Sequence, residues 1–282
     1  MHKWAEKMGV WRLLELEVGD AFTNMAVDEA TLTAKIAGEV PNTLRFYRWK
    51  PSAVSIGRFQ DLFNEVHVEN CRKQGVDIVR RITGGGAVYH DYDGEITYSV
   101  VVDGRDLGYA DMDIISAYKT VCKGLIEAVK ILGATSEFNP LDSKQCPNIA
   151  IRGKKISGSA QSYKRGVLLQ HGTFLVDINH EKMFAFLKVP WAKTFANVLD
   201  VSKKKLTSAK QELESRISME EAYQALVRGF KRALKIRIVE EELTSYERKL
   251  AERLRGDKFS TDNWNFKGRG VGWSQTISFL GT

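Results

Sequence analysis

The stretch that decides the interpretation of this chain spans residues 80–91. It consists of Arg80, Arg81, Ile82, Thr83, Gly84, Gly85, Gly86, Ala87, Val88, Tyr89, His90 and Asp91. Glycine tolerates positive φ and lets another backbone or a ligand come close, because it has no Cβ. Three glycines after two forked guanidinium groups suggest a slot in which an extended, anionic small molecule lies against bare backbone. A glycine-rich turn with two solvated arginines is equally compatible with this stretch alone.

The spacing of the glycines excludes two common phosphate-binding motifs. The stretch lacks the Gly-x-x-x-x-Gly-Lys-Ser/Thr of a Walker loop and the Gly-x-Gly-x-x-Gly that opens a helix in dinucleotide-binding folds. Its flanks instead predict a strand, a turn and a second strand. A phosphate bound here would therefore meet backbone amides and arginines rather than the end of a helix.

The composition is that of an ordinary globular domain of 282 residues, with 43% hydrophobic and 27% charged residues. A net charge of +7 favours acidic partners and phosphorylated ligands, but the charge is too dispersed to indicate nucleic acid. The three cysteines, at positions 71, 122 and 146, form no Cys-x-x-Cys pair and predict neither a disulfide framework nor a zinc site. There is no apolar run long enough to span a membrane and no signal peptide, so a reducing, cytoplasmic location is expected.

Hydrophobic periodicity predicts one α+β domain whose sheet lies mostly in the first two thirds of the chain. Asn24 is the expected cap of a helix reaching Ala34, and residues 118–132 form an amphipathic helix with Cys122 on its core face. The run Lys203–Lys205 is expected at a solvated helix start or in a loop. We expect a catalytic core at residues 10–190, a helical extension of the same domain at residues 191–268, and a tail at residues 269–282.

Two further segments combine polar groups with strand patterns. Residues 148–161 place Lys154 and Lys155 among small residues, and successive side chains in a strand point to opposite faces. Only one of the two lysines can therefore enter a pocket, unless the segment is a hairpin with both lysines in solvent. Residues 168–177 place His171 in an apolar strand, where a histidine is more often a hydrogen-bonded core residue than a catalyst.

Together, these three segments resemble lipoate–protein ligases and the related octanoyltransferases, which share a fold with biotin–protein ligases. The resemblance extends to residues 24–30, 44–47, 55–60 and 260–265, and thus covers roughly residues 10–268. It implies a class II synthetase-like fold: a mixed, mostly antiparallel sheet flanked by helices, with a helical C-terminal appendage.

The resemblance implies first an ATP-dependent ligase that joins lipoate to AMP and transfers the lipoyl group to a carrier lysine. Lys155 would then be the catalytic residue, bridging the substrate carboxylate and the α-phosphate. ATP and Mg²⁺ are the implied cofactors, no metal ligand is firm, and Asn148 is the one candidate for a contact through Mg²⁺. The implied substrate- and nucleotide-binding residues are Arg80, Arg81, Gly84, Gly85, Gly86, Ala87, Tyr89, His90, Asn148, Ser157, His171, Gly172 and Thr173.

Two alternatives stay open. One is octanoyl transfer without ATP, with Cys146 as the nucleophile that forms an acyl thioester. Cys146 precedes Lys155 by nine residues and is followed by Pro147, and the triple glycine is more typical of ligases. The other is a non-catalytic module that binds lipoate or biotin, which Lys155 disfavours because an apolar acyl chain needs no ammonium group.

The resemblance also implies partners. The 17 residues from Phe266 to Thr282 are too few for the accessory domain of bacterial ligases, so a separate accessory subunit is expected. The expected carriers are acidic lipoyl domains, either of 2-oxoacid dehydrogenase E2 or as the glycine-cleavage H protein, which suit a mildly basic surface.

Overall fold

The computed structural model describes residues 9–108, 113–140, 147–189, 192, 194–213 and 217–267. The strands in these residues are β1 Val10–Gly19, β2 Thr43–Trp49, β3 Ala53–Ile56, β4 Asp77–Arg80, β5 Val88–His90, β6 Glu95–Asp103, β7 Glu137–Asn139, β8 Asn148–Ile151, β9 Lys154–Lys164, β10 Val167–Leu175 and β11 Arg237–Glu240. The α-helices are α1 Ala21–Ile36, α2 Leu62–Glu65, α3 Val68–Lys73, α4 Ile114–Ile131, α5 His180–Phe186, α6 Phe195–Lys205, α7 Ala209–Leu213, α8 Met219–Leu234 and α9 Ser245–Leu254.

The strands form two sheets, and most of their pairings are antiparallel. The larger sheet has the order β11-β1-β2-β6-β10-β9-β8-β7, with parallel pairing only among β11, β1 and β2. The smaller sheet has the order β4-β3-β5, in which β3 and β4 are parallel. The expected α+β fold with a mixed, mostly antiparallel sheet flanked by helices is thereby confirmed.

The two strands predicted on either side of the glycines are present as β4 and β5, but they do not pair with each other. β4 and β5 both pair with β3, one on each side of it. Residues 81–87 therefore cross the end of β3 instead of making a tight turn between partners. The backbone of β3 supplies the hydrogen bonds that the two short strands would otherwise have exchanged.

The helix predicted from Asn24 begins earlier than expected. Asp20 is its N-cap and accepts a hydrogen bond from the Thr23 amide over 2.7 Å. Asn24 is buried inside α1, and its side-chain amide donates to the carbonyls of Gly19 and Arg48. The prediction of Asn24 as the cap is therefore wrong. Its side chain instead fastens the helix to the neighbouring strands β1 and β2.

The helix α4 covers the predicted amphipathic segment, and Cys122 is fully buried in the main core. α4 packs against α8 at glycines, since a Cβ added to Gly229 would lie 2.5 Å from the Gly124 carbonyl oxygen. The Lys203–Lys205 run ends α6 rather than beginning a helix.

Within residues 191–268, the described part contains α6 to α9 and also β11, which extends the main sheet beside β1. The division at residue 190 stays a prediction. None of the described helices is both long and apolar enough to cross a membrane.

Candidate active site

The glycine loop, residues 84–86, lies between β4 and β5 and rests against the end of β3. Gly85 has φ +89°, a conformation that other residues rarely adopt. A Cβ added to Gly57 would lie only 2.0 Å from the Gly85 carbonyl oxygen. Glycine is therefore required at both positions for the two segments to touch.

Arg81 holds this loop in shape. Its Nη2 donates to the carbonyls of Gly84 and Gly86, each over 2.9 Å. Its Nη1 donates to the Ser55 carbonyl and hydroxyl, and its Nε donates to the Thr83 hydroxyl. All five guanidinium N–H groups thus have acceptors within the chain.

Arg80 also donates to the chain itself. Its guanidinium reaches five main-chain carbonyls, those of Gly57, Arg58, Gln60, Trp264 and Asn265. The side chain is buried, and it fastens residues 264–265 to the segment after β3. The phosphate contacts expected of the two arginines would have to replace these bonds.

The two histidines expected at the site are both engaged through both ring nitrogens. His171 contacts Asp28 Oδ2 through Nδ1 and Thr83 Oγ1 through Nε2, each over 2.8 Å. His90 contacts Glu95 Oε1 over 2.8 Å and Ser55 Oγ over 2.7 Å.

Asp28 is the centre of a buried polar cluster. Besides His171, it accepts hydrogen bonds from Arg45 and the Tyr47 hydroxyl, each over 2.9 Å. Burial lowers the pKa of His171 although Asp28 acts in the opposite direction. Burial would raise the pKa of Asp28, but its bonds to His171, Arg45 and Tyr47 bring that pKa below the ordinary value. His171 therefore joins β10 to α1 through Asp28 and to Thr83, the residue directly before the glycine loop.

Lys155 lies opposite the glycine loop, on β9. A Cβ added to Gly158 would lie 2.6 Å from Lys155 Nζ and 2.7 Å from its Cε, so the missing side chain at Gly158 makes room for the ammonium group. The pairing of β9 with β8 shifts register around Ile156, which marks a β-bulge. Bulges redirect side chains near active sites, and here Lys155 borders the cavity while Lys154 does not.

The loop and the lysine enclose a cavity of about 110 Å³ that is open on one side. Nine of the expected site residues line it, namely Arg81, Gly85, Gly86, Ala87, His90, Lys155, His171, Gly172 and Thr173. Apolar and aromatic side chains complete the wall, including Met25, Tyr47, Trp49 and Val88. The arrangement suits a narrow apolar chain that ends in a polar group near Lys155.

Five other expected residues lie outside this lining: Arg80, Gly84, Tyr89, Asn148 and Ser157. The ring of Tyr89 packs against Phe186, with a centroid distance of 5.1 Å. Asn148 Oδ1 and Ser157 Oγ are buried without a hydrogen-bond partner among the described residues. Such atoms are costly to bury, so both remain candidates for a contact with a reactant.

Cys146 lies outside the described residues. The other two thiols, of Cys71 and Cys122, are buried, and burial raises the pKa of each to about 11. No group of three or more His, Cys, Asp and Glu side chains in the described part of the chain is arranged to hold a metal ion.

The sequence alone did not indicate Asp28, Glu95 or Ser55, which position the two histidines. Asp28 and His171 are 143 residues apart in the sequence and Ser55 and His90 are 35 apart, whereas Glu95 is only five residues from His90. A carboxylate on the largely apolar helix α1 is the one local signal that marks Asp28.

The chain matches a family model described as "Lipoyl protein ligase A/B catalytic domain" over residues 20–231. It is 38% identical to octanoyltransferase LipM of Kyrpidia tusciae and 34% identical to that of Brevibacillus brevis, in each case over 92% of this chain and 100% of the relative.

Solved structures show the same likeness. The bipartite lipoate protein ligase of Thermoplasma acidophilum, described together with its E2 lipoyl domain, matches with a TM-score of 0.81 and 31% identity. That match covers 96% of this chain and 100% of the other. A lipoate-protein ligase A bound with ATP matches with a TM-score of 0.80 and 32% identity, over 92% and 99% of the two chains. This chain is therefore a member of the lipoyl protein ligase A/B catalytic domain family.

Proposed function

We propose that this protein is an octanoyltransferase that moves an octanoyl group from a carrier-protein thioester to a lysine of a lipoyl-domain carrier, with Cys146 as nucleophile. The observation that carries this proposal is the similarity to curated octanoyltransferases over almost the whole chain, at 30–38% identity. This reverses the order expected from the sequence, where ATP-dependent ligation came first and octanoyl transfer second.

The electrostatics of the cavity also favour octanoyl transfer over ATP-dependent ligation. The triphosphate of ATP needs several cationic donors, and the N–H groups of Arg81 already bond to Ser55, Thr83 and the glycine loop. An octanoyl thioester is uncharged and needs only an apolar slot with a donor near its carbonyl. The glycine wall and Lys155 provide these two features.

The reaction proceeds in two acyl transfers. The Cys146 thiolate attacks the thioester carbonyl, the carrier thiolate leaves and takes up a proton, and an octanoyl–Cys146 thioester results. The neutral amine of the acceptor lysine then attacks this thioester, loses a proton, and releases Cys146 as an amide forms. Both steps pass through an oxyanion, and the ammonium group of Lys155 stabilises it. Ser157 and Asn148 are proposed to contact the reacting acyl group through their unpartnered oxygens.

ATP-dependent lipoate ligation is the second candidate, favoured by the two ligase structures at TM-scores of 0.80 and 0.81. Under that alternative, ATP and Mg²⁺ would be the cofactors and a separate accessory subunit would be needed. The carriers would be the same acidic lipoyl domains, of E2 or as H protein, and a cytoplasmic location is proposed in either case.

The deciding experiment incubates the purified chain and a lipoyl domain with either octanoyl-acyl carrier protein or lipoate plus ATP and Mg²⁺. The proposal expects octanoylated lipoyl domain without ATP and no release of pyrophosphate with ATP and lipoate. Pyrophosphate release and lipoylation, with no transfer from the carrier thioester, would instead establish the ligase. Binding of lipoate with neither reaction, and with no transfer from preformed lipoyl-adenylate to the lipoyl domain, would leave a non-catalytic module.

A further inference from the structure

A second group of cations lies beside Lys155 and takes no part in the chemistry above. Helix α6 ends in Lys203, Lys204 and Lys205, all exposed. The next residue, Leu206, forms a backbone bridge with Lys155, and the Thr207 amide donates to the Lys155 carbonyl over 3.0 Å. The basic end of α6 is therefore joined directly to the strand that carries the catalytic lysine.

The β8–β9 turn adds two more cations to this surface. Arg152 exposes 79% of its side chain and contacts Glu212 only at 3.7 Å. Lys154 directly precedes Lys155 on β9, and Lys155 bridges Leu206, the residue after the three lysines of α6, so the backbone of Lys154 lies beside the basic end of α6. We call these five residues, Arg152, Lys154, Lys203, Lys204 and Lys205, the basic patch.

Within the described residues, the lysines of the patch form no ion pair with a carboxylate, although Asp93 and Glu181 line the same cleft as Lys203. In the cleft next to Lys203, Asp91 pairs with Lys182 over 2.9 Å and Asp177 pairs with Lys210 over 3.0 Å. Within the described structure, Lys203, Lys204 and Lys205 form no ion pair. Lysines at the C-terminus of a helix interact favourably with the helix dipole, which explains why three of them are found at the end of α6. The dipole does not explain why the β8–β9 turn brings two more cations to the same surface.

We propose that the basic patch docks the acidic acyl carrier protein that donates the octanoyl group. This inference rests on the proposed octanoyl transfer and names the surface that its donor uses. The donor fits the charge better than the acceptor does, because it presents its thioester on an arm that contains a phosphodiester. The acceptor presents a lysine, so it brings no anion next to its reacting group, and its acidic surface makes it the competing occupant that the test must separate from the donor.

The test compares two triple charge reversals of equal size. K203E/K204E/K205E alters the patch, whereas K231E/R232E/K235E alters the matching basic end of α8, also exposed. Each variant is assayed with octanoyl-acyl carrier protein and with the neutral thioester octanoyl-N-acetylcysteamine, at a saturating concentration of lipoyl domain. The KM of the acceptor is measured separately by varying the lipoyl domain at a saturating concentration of the neutral thioester. Binding of labelled carrier is measured separately by fluorescence anisotropy.

The patch variant should lose at least about tenfold in kcat/KM for the carrier at low salt, since electrostatic steering raises association rates by about 10- to 1000-fold. Added salt should narrow this loss, and K203R/K204R/K205R should restore the rate. Turnover of the neutral thioester should match that of the native chain, and the α8 variant should behave as native with both donors.

The proposal would be overturned if the two triple reversals showed the same kcat/KM for the carrier and the same carrier binding. It would also be overturned if the patch variant lost activity equally with the neutral thioester, or if its only change were a higher KM for the acceptor. If the native chain transfers no octanoyl group without ATP, the proposed function fails. The anisotropy comparison, which needs no chemistry, still decides whether the patch binds the carrier.

Discussion

Replacing Gly158 by alanine should slow the reaction about 100-fold without unfolding the chain. The added Cβ would lie 2.6 Å from Lys155 Nζ and 2.7 Å from its Cε, and no other atoms fall within 4 Å. Ordinary contacts begin at 3.4 Å, so the ammonium group must move by about 0.8 Å. A displacement near 1 Å costs about 100-fold in rate, or about 2.7 kcal/mol in activation free energy.

The stability of the fold should hardly change, because the end of a lysine side chain can move and alanine suits a strand better than glycine by about 0.5–1 kcal/mol. The assay is octanoyl transfer from the neutral thioester, with thermal unfolding measured in parallel. G256A is the matched control, since nothing lies within 4 Å of its added Cβ. If the change acts through Lys155, the double variant G158A/K155M should be no slower than K155M. Native activity in G158A, or a further loss in the double variant, would refute this reasoning.

Three further predictions concern the packing, the buried histidine and the thiols. G229A should lower the free energy of unfolding by about 1–3 kcal/mol in urea titrations, because its Cβ would meet the Gly124 backbone of α4; unchanged stability would show that the helices separate freely. Because burial lowers the pKa of His171 below 6.5, the unfolded chain binds its proton more readily, and stability should fall as the pH drops through about 6.5 towards the folded-state pKa. Denaturant titrations across this pH range should show that the free energy of unfolding changes less steeply with pH in H171Q than in the native chain. The same pH dependence in both would contradict the lowered pKa of His171. Iodoacetamide at neutral pH should leave Cys71 and Cys122 unmodified in the native chain, since burial raises both thiol pKa values to about 11; peptide mapping that finds either one alkylated before unfolding would refute this.

Local pattern was enough to predict most of the elements, because burial of one face imposes a period on the sequence. The amphipathic helix at 118–132 and the apolar strand at 168–176 both appear in the structure, as α4 and β10. The pairing of β4 and β5 with β3 was not predictable in this way. That pairing depends on which neighbouring strand offers backbone N–H and C=O groups for hydrogen bonds. The sequence of residues 80–91 does not specify that strand.

The sequence was enough to predict which segments form the candidate site. It was not enough to predict the hydrogen-bond partners of the polar side chains in those segments. The sequence shows that Arg80 and Arg81 can bind anions, because guanidinium groups do so. It does not show that the fold directs these donors to main-chain carbonyls. Likewise His171 was expected to bind either a ligand or the core, and only the long-range contact with Asp28 reveals its present partner.

The central claim, that an octanoyl group passes through Cys146 without ATP, is tested most directly by intact mass spectrometry. The chain is mixed with octanoyl-acyl carrier protein, without ATP or acceptor, and its mass is measured beside those of C146S and C122S. The account predicts one added octanoyl group on the native chain and on C122S, labile to hydroxylamine, and none on C146S. An unmodified native chain that still octanoylates a lipoyl domain, or an adduct that persists in C146S, would contradict it.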